Sequence, residues 1–108
     1  MSISTKLDAL PRTPLAHTPT PIEKLNNLSA VLGGGALYVK RDDCTGLAMG
    51  GNKARQLEYY FGEALQQNAD TVLITGAVQS NFVRMAAAAA AKLDLDCHIQ
   101  LEERVGDA

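Results

Sequence analysis

Apolar positions change their period along the chain, and each change predicts an element. After Lys53, the residues Ala54, Leu57, Phe61, Ala64 and Leu65 recur at helical spacing, so a helix with one inward face is expected there, closed by Asn68 and Asp70. Thr71-Val72-Leu73-Ile74-Thr75 is β-branched and does not alternate, the pattern of a strand covered on both faces in a parallel sheet, with Gly76 ending it. From Phe82 through Met85 and the alanines Ala86 to Ala91, as far as Lys92 and Leu93, the composition is strongly helical. Its small side chains allow close packing on a sheet. Cys97-His98-Ile99-Gln100-Leu101 reads as a second strand, so Thr71 to Leu101 forms one strand, helix, strand unit with a right-handed crossover expected.

The first third of the chain follows different rules. Pro11, Pro14, Pro19 and Pro21 exclude a helix interior or a central strand, which predicts an extended arm lying on something larger. Thr20-Pro21-Ile22-Glu23 reads as a helix entrance, with Thr20 as cap and Glu23 completing a capping box. That helix would carry Ile22, Leu25, Leu28, Val31 and Leu32 on one face and stop at Gly33-Gly34-Gly35. Leu37-Tyr38-Val39-Lys40 has strand composition, and Cys44 to Met49 reads as a loop. Residues 1–36 are therefore expected to form the arm and capped helix, and residues 37–108 a partial α/β region.

Composition narrows the function classes. At 108 residues the chain has room for one domain with a modest core. Its formal charge of −2 comes from interspersed acids and bases, which offers no basic field to nucleic acid or to an anionic membrane. The residues after Met1 hold no apolar stretch of signal-peptide length, and a cytoplasmic protein is expected. Cys44 and Cys97 are far apart and read as reduced thiols; with His17 and His98 they give no metal-ligand spacing, so no metal is assigned.

Two stretches carry candidate chemistry. Gly50-Gly51-Asn52-Lys53 opens into a helix: the glycines permit close backbone approach, and the amides that follow are the unpaired donors of a helix start. A lysine there meets the positive end of the helix dipole, which disfavours its ammonium form and suits a reactive amine. Taken alone, the same lysine reads as a solvated surface residue. Gln79-Ser80-Asn81 lies beyond a parallel strand where a loop enters a helix, the usual place for a ligand in such sheets, although Ser80 or Asn81 also reads as a simple cap. A Walker loop fails on spacing: Asn52 separates Gly51 from Lys53, and Ala54 has no hydroxyl for magnesium.

Lys40-Arg41-Asp42-Asp43-Cys44-Thr45-Gly46-Leu47-Ala48-Met49-Gly50-Gly51-Asn52-Lys53, followed by Gly76-Ala77-Val78-Gln79-Ser80-Asn81, resembles the N-terminal part of the pyridoxal-phosphate enzymes grouped as D-cysteine desulfhydrases and 1-aminocyclopropane-1-carboxylate deaminases. Cys44 to Ala48 and Cys97 to Val105 look most like the L-cysteate sulfo-lyase branch. The resemblance implies an α/β chain, the N-terminal part of a fold-type II (tryptophan synthase β-like) enzyme with a parallel sheet and helices. It implies pyridoxal 5'-phosphate as cofactor, with Lys53 as the Schiff-base lysine and Asn52 and Asn81 beside the cofactor. Ser80 is then a catalytic and substrate-binding residue, with Asn81 and Gln79 also at the substrate.

The activity so implied is α,β-elimination on D-cysteine or L-cysteate, giving pyruvate, ammonia and sulfide or sulfite, with cyclopropane deamination as a further member of the group. Phe82 stands where the family has histidine or glutamine, and Asp94 where it has glycine. The resemblance also implies an N-terminal portion only, of a parent that is a homodimer, with the loop for the cofactor phosphate lying beyond residue 108. A piece of that kind is expected to be weakly active or inactive alone. The competing expectation is a non-catalytic remnant or subunit piece.

Overall fold

The computed structural model of the chain describes residues 2–106. In order they form α1 (Ile3–Asp8), β1 (Ile22–Lys24), α2 (Asn26–Leu32), β2 (Tyr38–Lys40), two 3₁₀ turns (Asp42–Thr45 and Leu47–Met49), α3 (Lys53–Gln66), β3 (Thr71–Ala77), α4 (Asn81–Lys92) and β4 (Asp96–Glu102). The short α1, which none of the sequence patterns marks, is exposed throughout and capped by Ser2, whose hydroxyl accepts the Thr5 N–H at 3.2 Å.

The strand, helix, strand unit forms as the periodicity predicts. β3 and β4 pair in parallel, with Thr71 opposite Asp96 and Ala77 opposite Glu102. α4 packs between this pair and α3. The core joins Ala54, Leu57 and Phe61 of α3 to Met85, Ala86, Ala89 and Ala90 of α4, with Val72, Ile74 and Cys97 half-buried against it from the sheet. The alanines let α4 lie close to both neighbours. The expectation that β3 is covered on both faces is corrected: Val72 and Ile74 face the core, while Leu73 between them is 81% exposed. No described element covers that second face. Likewise Ala64 is only half-buried and Leu65 is exposed.

A second correction concerns residues 20–25. Ile22–Lys24 is a strand, not the first turn of a helix. It pairs antiparallel with Tyr38–Lys40, Glu23 lying opposite Val39. The Arg41 N–H to Pro21 carbonyl bond (2.8 Å) and the Leu25 N–H to Leu37 carbonyl bond (2.9 Å) extend the ladder at each end. Thr20 cannot act as the cap because its hydroxyl donates to Asp42 (2.7 Å) and accepts from Arg55 (3.0 Å). The helix that follows is only Asn26–Leu32, ended as expected by Gly33 at φ 63°. The pairing of β1 with β2 also joins the segment before residue 36 to the one after it.

Both long helices end on a non-glycine residue in the left-handed region. Asn68 (φ 56°) follows α3 and Asp94 (φ 58°) follows α4. In each case the next amide reaches back across the last turn, Ala69 to the Ala64 carbonyl and Leu95 to the Ala90 carbonyl, both at 2.9 Å. Asp94 thus takes the left-handed conformation at a position where the resemblance implies glycine.

The proline arm lies along α3, and one carboxylate holds it there. Glu58 is 1% exposed. Its Oε1 accepts from Arg12 Nε (3.1 Å) and Nη2 (2.7 Å), and its Oε2 from the amides of Leu15 (2.7 Å) and Ala16 (3.4 Å). The Arg12 guanidinium also sits over the Tyr59 ring, 5.6 Å from its centroid. One turn on, Gly62 lets the arm touch the helix backbone: a Cβ there would stand 2.6 Å from the Pro11 carbonyl oxygen.

Burial pushes the Glu58 carboxyl up, but the Leu15 amide, Arg12 and the Ala16 amide together bring it below the usual carboxylate range. A lowered folded-state value means that this contact stabilises the fold fully above the unfolded glutamate pKa of about 4.3, and that the contribution is lost as pH falls through the folded value. Glu58→Gln should therefore lower stability at pH 7 by about 2 kcal/mol, because amides once satisfied by a charge lose their acceptor. The loss is read as a drop in urea midpoint without change of slope, and the difference from wild type should shrink toward acid pH. Asp94→Gly should act oppositely and raise stability by about 1 kcal/mol, since glycine carries no Cβ penalty in the left-handed region. Thermal unfolding of the two chains side by side checks this.

Candidate active site

The loop before α3 has an unusual backbone. Gly46 (φ 93°), Ala48 (48°), Met49 (69°), Gly50 (85°) and Gly51 (147°) all have positive φ. Gly50 and Gly51 are required by contact as well as by angle. A Cβ on Gly50 would lie 1.9 Å from the Asp43 carbonyl oxygen, and one on Gly51 would lie 2.8 Å from Met85 Sδ in α4. Ala48 and Met49 lack glycine's freedom, and such residues cost about 1–3 kcal/mol each unless their surroundings fix them.

Three side chains hold the loop in which they lie. The fully buried Thr45 hydroxyl accepts the Gly51 N–H (2.8 Å) and donates to the Gly51 carbonyl (2.7 Å), closing the loop on itself. Arg55 binds both oxygens of Asp42, at 2.7 and 3.0 Å. That pairing, with the Thr20 hydroxyl, holds the Asp42 carboxyl well below the usual carboxylate range. From α4, Arg84 donates to the Ala48 carbonyl through Nη1 and to the Gly50 carbonyl through Nη2 (3.2 Å).

On this base Lys53 is the first residue of α3, as the glycine turn predicts. Its side chain is half-buried, and among the described residues Nζ makes no hydrogen bond or ion pair. Asn52 and Asn81 come together directly, Asn81 Nδ2 donating to Asn52 Oδ1 at 3.0 Å, so the starts of α3 and α4 meet at a pair of amides. Ser80 caps α4 by accepting the Val83 N–H at 3.3 Å. The capping reading of Ser80 is thus realised, and it leaves the hydroxyl proton available to an acceptor. Gln79 lies exposed in the turn between β3 and α4, with no hydrogen bond to the other candidate residues.

Sequence reasoning missed Thr45, Arg55, Arg84 and Glu58. For Glu58 a signal existed: it stands at the helical spacing of Ala54, Leu57 and Phe61, and a carboxylate on an apolar face demands a partner. Arg84 lies one turn beyond Ser80, but its acceptors are backbone carbonyls that no sequence pattern marks. Phe82, the departure from the expected histidine or glutamine, packs edge-on to Tyr60 with ring centroids 6.4 Å apart. The two rings edge a groove of about 540 Å³ between α3 and β3, which also meets Gln56, Val72 and Ile74.

Known proteins share this arrangement. The sequence profile of the family described as pyridoxal-phosphate dependent enzyme matches residues 13–107. A D-cysteine desulfhydrase of Yersinia enterocolitica serotype O:8 / biotype 1B is 51% identical over 106 residues, 98% of this chain and 32% of that protein. Another, from Serratia proteamaculans, is 50% identical over 105 residues, 97% of this chain and 32% of that protein. A crystal structure described as an ACC deaminase homologue superposes with a TM-score of 0.84 at 46% identity, covering 90% of this chain and 30% of the other. The chain spans about a third of the length of the curated relatives it matches. Because the family match takes in the arm, the glycine-lysine loop and both strands of the parallel pair, this chain belongs to the pyridoxal-phosphate dependent enzymes, whose fold-type II α/β architecture its elements fit.

Proposed function

We propose that Lys53 is the amine that holds pyridoxal phosphate, and that the protein of which these residues form the site is a carbon-sulfur lyase acting on a small amino acid. The observation that carries the reading is an amine without a polar partner at a helix start, beside neutral amide and hydroxyl groups. Those groups fit the cofactor. An aldehyde needs an amine not committed to a carboxylate, and the hydroxyl oxygen carried on the cofactor's pyridine ring would be met by amides such as Asn81 and Asn52. When bound, the cofactor supplies an electron sink for the pair left as the substrate α-proton departs.

The chain's own residues would do the rest. Lys53 Nζ takes the α-proton, a role open to a lysine that can lose its charge. Ser80, still accepting the Val83 amide, donates its hydroxyl proton to the substrate carboxylate, with Asn81 and Gln79 as further donors. The overall change is addition of one water to D-cysteine or L-cysteate with release of pyruvate, ammonia and sulfide or sulfite.

D-cysteine is favoured by the identity to D-cysteine desulfhydrases, and L-cysteate by the Cys44 to Ala48 and Cys97 to Val105 stretches. Cyclopropane deamination has the likeness to the ACC deaminase homologue in its support. A cytoplasmic, homodimeric parent belongs to the same proposal, and the unpaired Cys44 and Cys97 suit a reducing compartment. A second reading, a non-catalytic role, is favoured by the open face at Leu73.

Borohydride reduction in the presence of pyridoxal phosphate, followed by peptide mapping, should place the label on Lys53 and leave Lys53→Ala unlabelled. Label on another lysine, or equal labelling of the variant, rejects the assignment.

A further inference from the structure

We propose that Arg84 is a positioning residue for Lys53: it clamps the strained loop ahead of α3 from the neighbouring helix and so sets where the amine stands. The inference rests on the reading of Lys53 given above, but the clamp is a matter of geometry.

Arg84 is the one described side chain outside the segment 42–55 that bonds the carbonyls between Gly46 and Asn52. Its two donors go to Ala48 and Gly50, on either side of Met49. Those acceptors bracket the two non-glycine residues of the loop that have positive φ, Ala48 and Met49. Thr45 ties the loop at Gly51, beyond the strained pair, so it leaves Ala48 and Met49 unrestrained. Met49 is 89% exposed, which rules out side-chain packing as its restraint. Within the loop the Gly50 N–H bonds the Leu47 carbonyl at 2.9 Å across this pair, and the carbonyl bonds of Arg84 are the side-chain restraint that holds it from outside.

The clamp reaches Lys53 through the backbone that precedes it. Gly50 and Gly51 stand just ahead of Asn52 and Lys53, and Gly51 packs against Met85, the residue after Arg84, so tightly that a Cβ would lie 2.8 Å from its sulfur. Asn81, one turn earlier on α4, bonds Asn52. Three successive contacts from one face of α4 thus register the residues leading into α3. A lysine ammonium could replace only one of the two guanidinium bonds at a time, since it lacks the planar fork.

The test uses the full chain and two measurements. In Arg84→Ala, amide exchange of the segment Gly50 to Lys53 should quicken about tenfold while the β3 and β4 amides keep their wild-type rates. Reductive labelling of Lys53 by pyridoxal phosphate should slow about tenfold in the same variant, with Arg84→Lys between it and wild type. Adding Ala48→Gly to Arg84→Ala should recover roughly threefold of the labelling rate, because glycine holds positive φ without a clamp. A variant lacking Arg84 that exchanges and labels at wild-type rates overturns the proposal, as does a failure of Ala48→Gly to rescue. Should Arg84→Ala lose its circular-dichroism signal, Arg84→Gln is judged by the same two rates. If wild type itself labels elsewhere than Lys53, the cofactor reading falls, while the exchange rates still decide whether Arg84 clamps the loop.

Discussion

A carboxylate removed from water must be met on every side, and at Glu58 all of the partners come from the arm. Arg12 and the amides of Leu15 and Ala16 satisfy it, so the arm and α3 can adopt their places only together. The constraint runs on along the chain. With Leu15 and Ala16 fixed, His17 reaches the lysine loop, its N–H bonding the Thr45 carbonyl at 2.9 Å and its ring packing so close to Gly46 that a Cβ there would be 2.3 Å away. Three residues later Thr20 enters the Asp42 and Arg55 network. The proline arm is thus a strap that runs along α3 and reaches the loop that carries Lys53.

Strap and loop divide the work of placing one helix start. A helix that begins one residue after two glycines has no intrinsic reason to begin in one orientation, because those residues cost the most entropy to fix. Here the entropy is offset by contacts on three sides: His17 outside, Thr45 within and α4 across. Rigid support of this kind suits a site that must hold a reactive atom within a fraction of an ångström of its target. It also explains why polar groups with such short bonds cluster in a stretch with little apolar content.

How much of this could be read from sequence depended on whether the cause was local. The period of Ala54, Leu57 and Phe61, the β-branched run at Thr71 and the alanine helix each specify their element through nearby residues, and each formed. Ile22-Glu23-Lys24 did not behave as its capping signature predicts, because a ladder with Tyr38-Val39-Lys40 and the claims of Asp42 and Arg55 on Thr20 outweighed a local preference worth at most about 1–2 kcal/mol. Leu73 was misread for the opposite reason. Its apolar character fits a covered face, but none of the described elements lies over it. Lys53 and the Asn52, Ser80 and Asn81 groups were legible because glycines and polar residues mark loop-to-helix junctions. Arg84 and Thr45 act through backbone carbonyls and amides, which leave no trace in the pattern of side chains.

The charges around the lysine loop follow one further rule. Each acid near it is engaged by a guanidinium: Asp42 by Arg55, Asp43 by Arg41 at 2.7 Å, and Glu58 by Arg12. Arginine is suited to this because its fork binds both carboxylate oxygens and it does not give up its proton. Lys40, the lysine on β2, is held by the Thr20 carbonyl at 2.6 Å rather than by an acid. With these three carboxylates occupied, no ion pair to Lys53 forms among the described residues, and Asn52 and Asn81, at the starts of α3 and α4, bond each other. A carboxylate in place of either amide would offer the lysine a charged partner and hold it as an ammonium. The same side chains that fix the backbone therefore also occupy the nearby carboxylates, so the position of Lys53 and its lack of a charged partner among the described residues have a single structural origin.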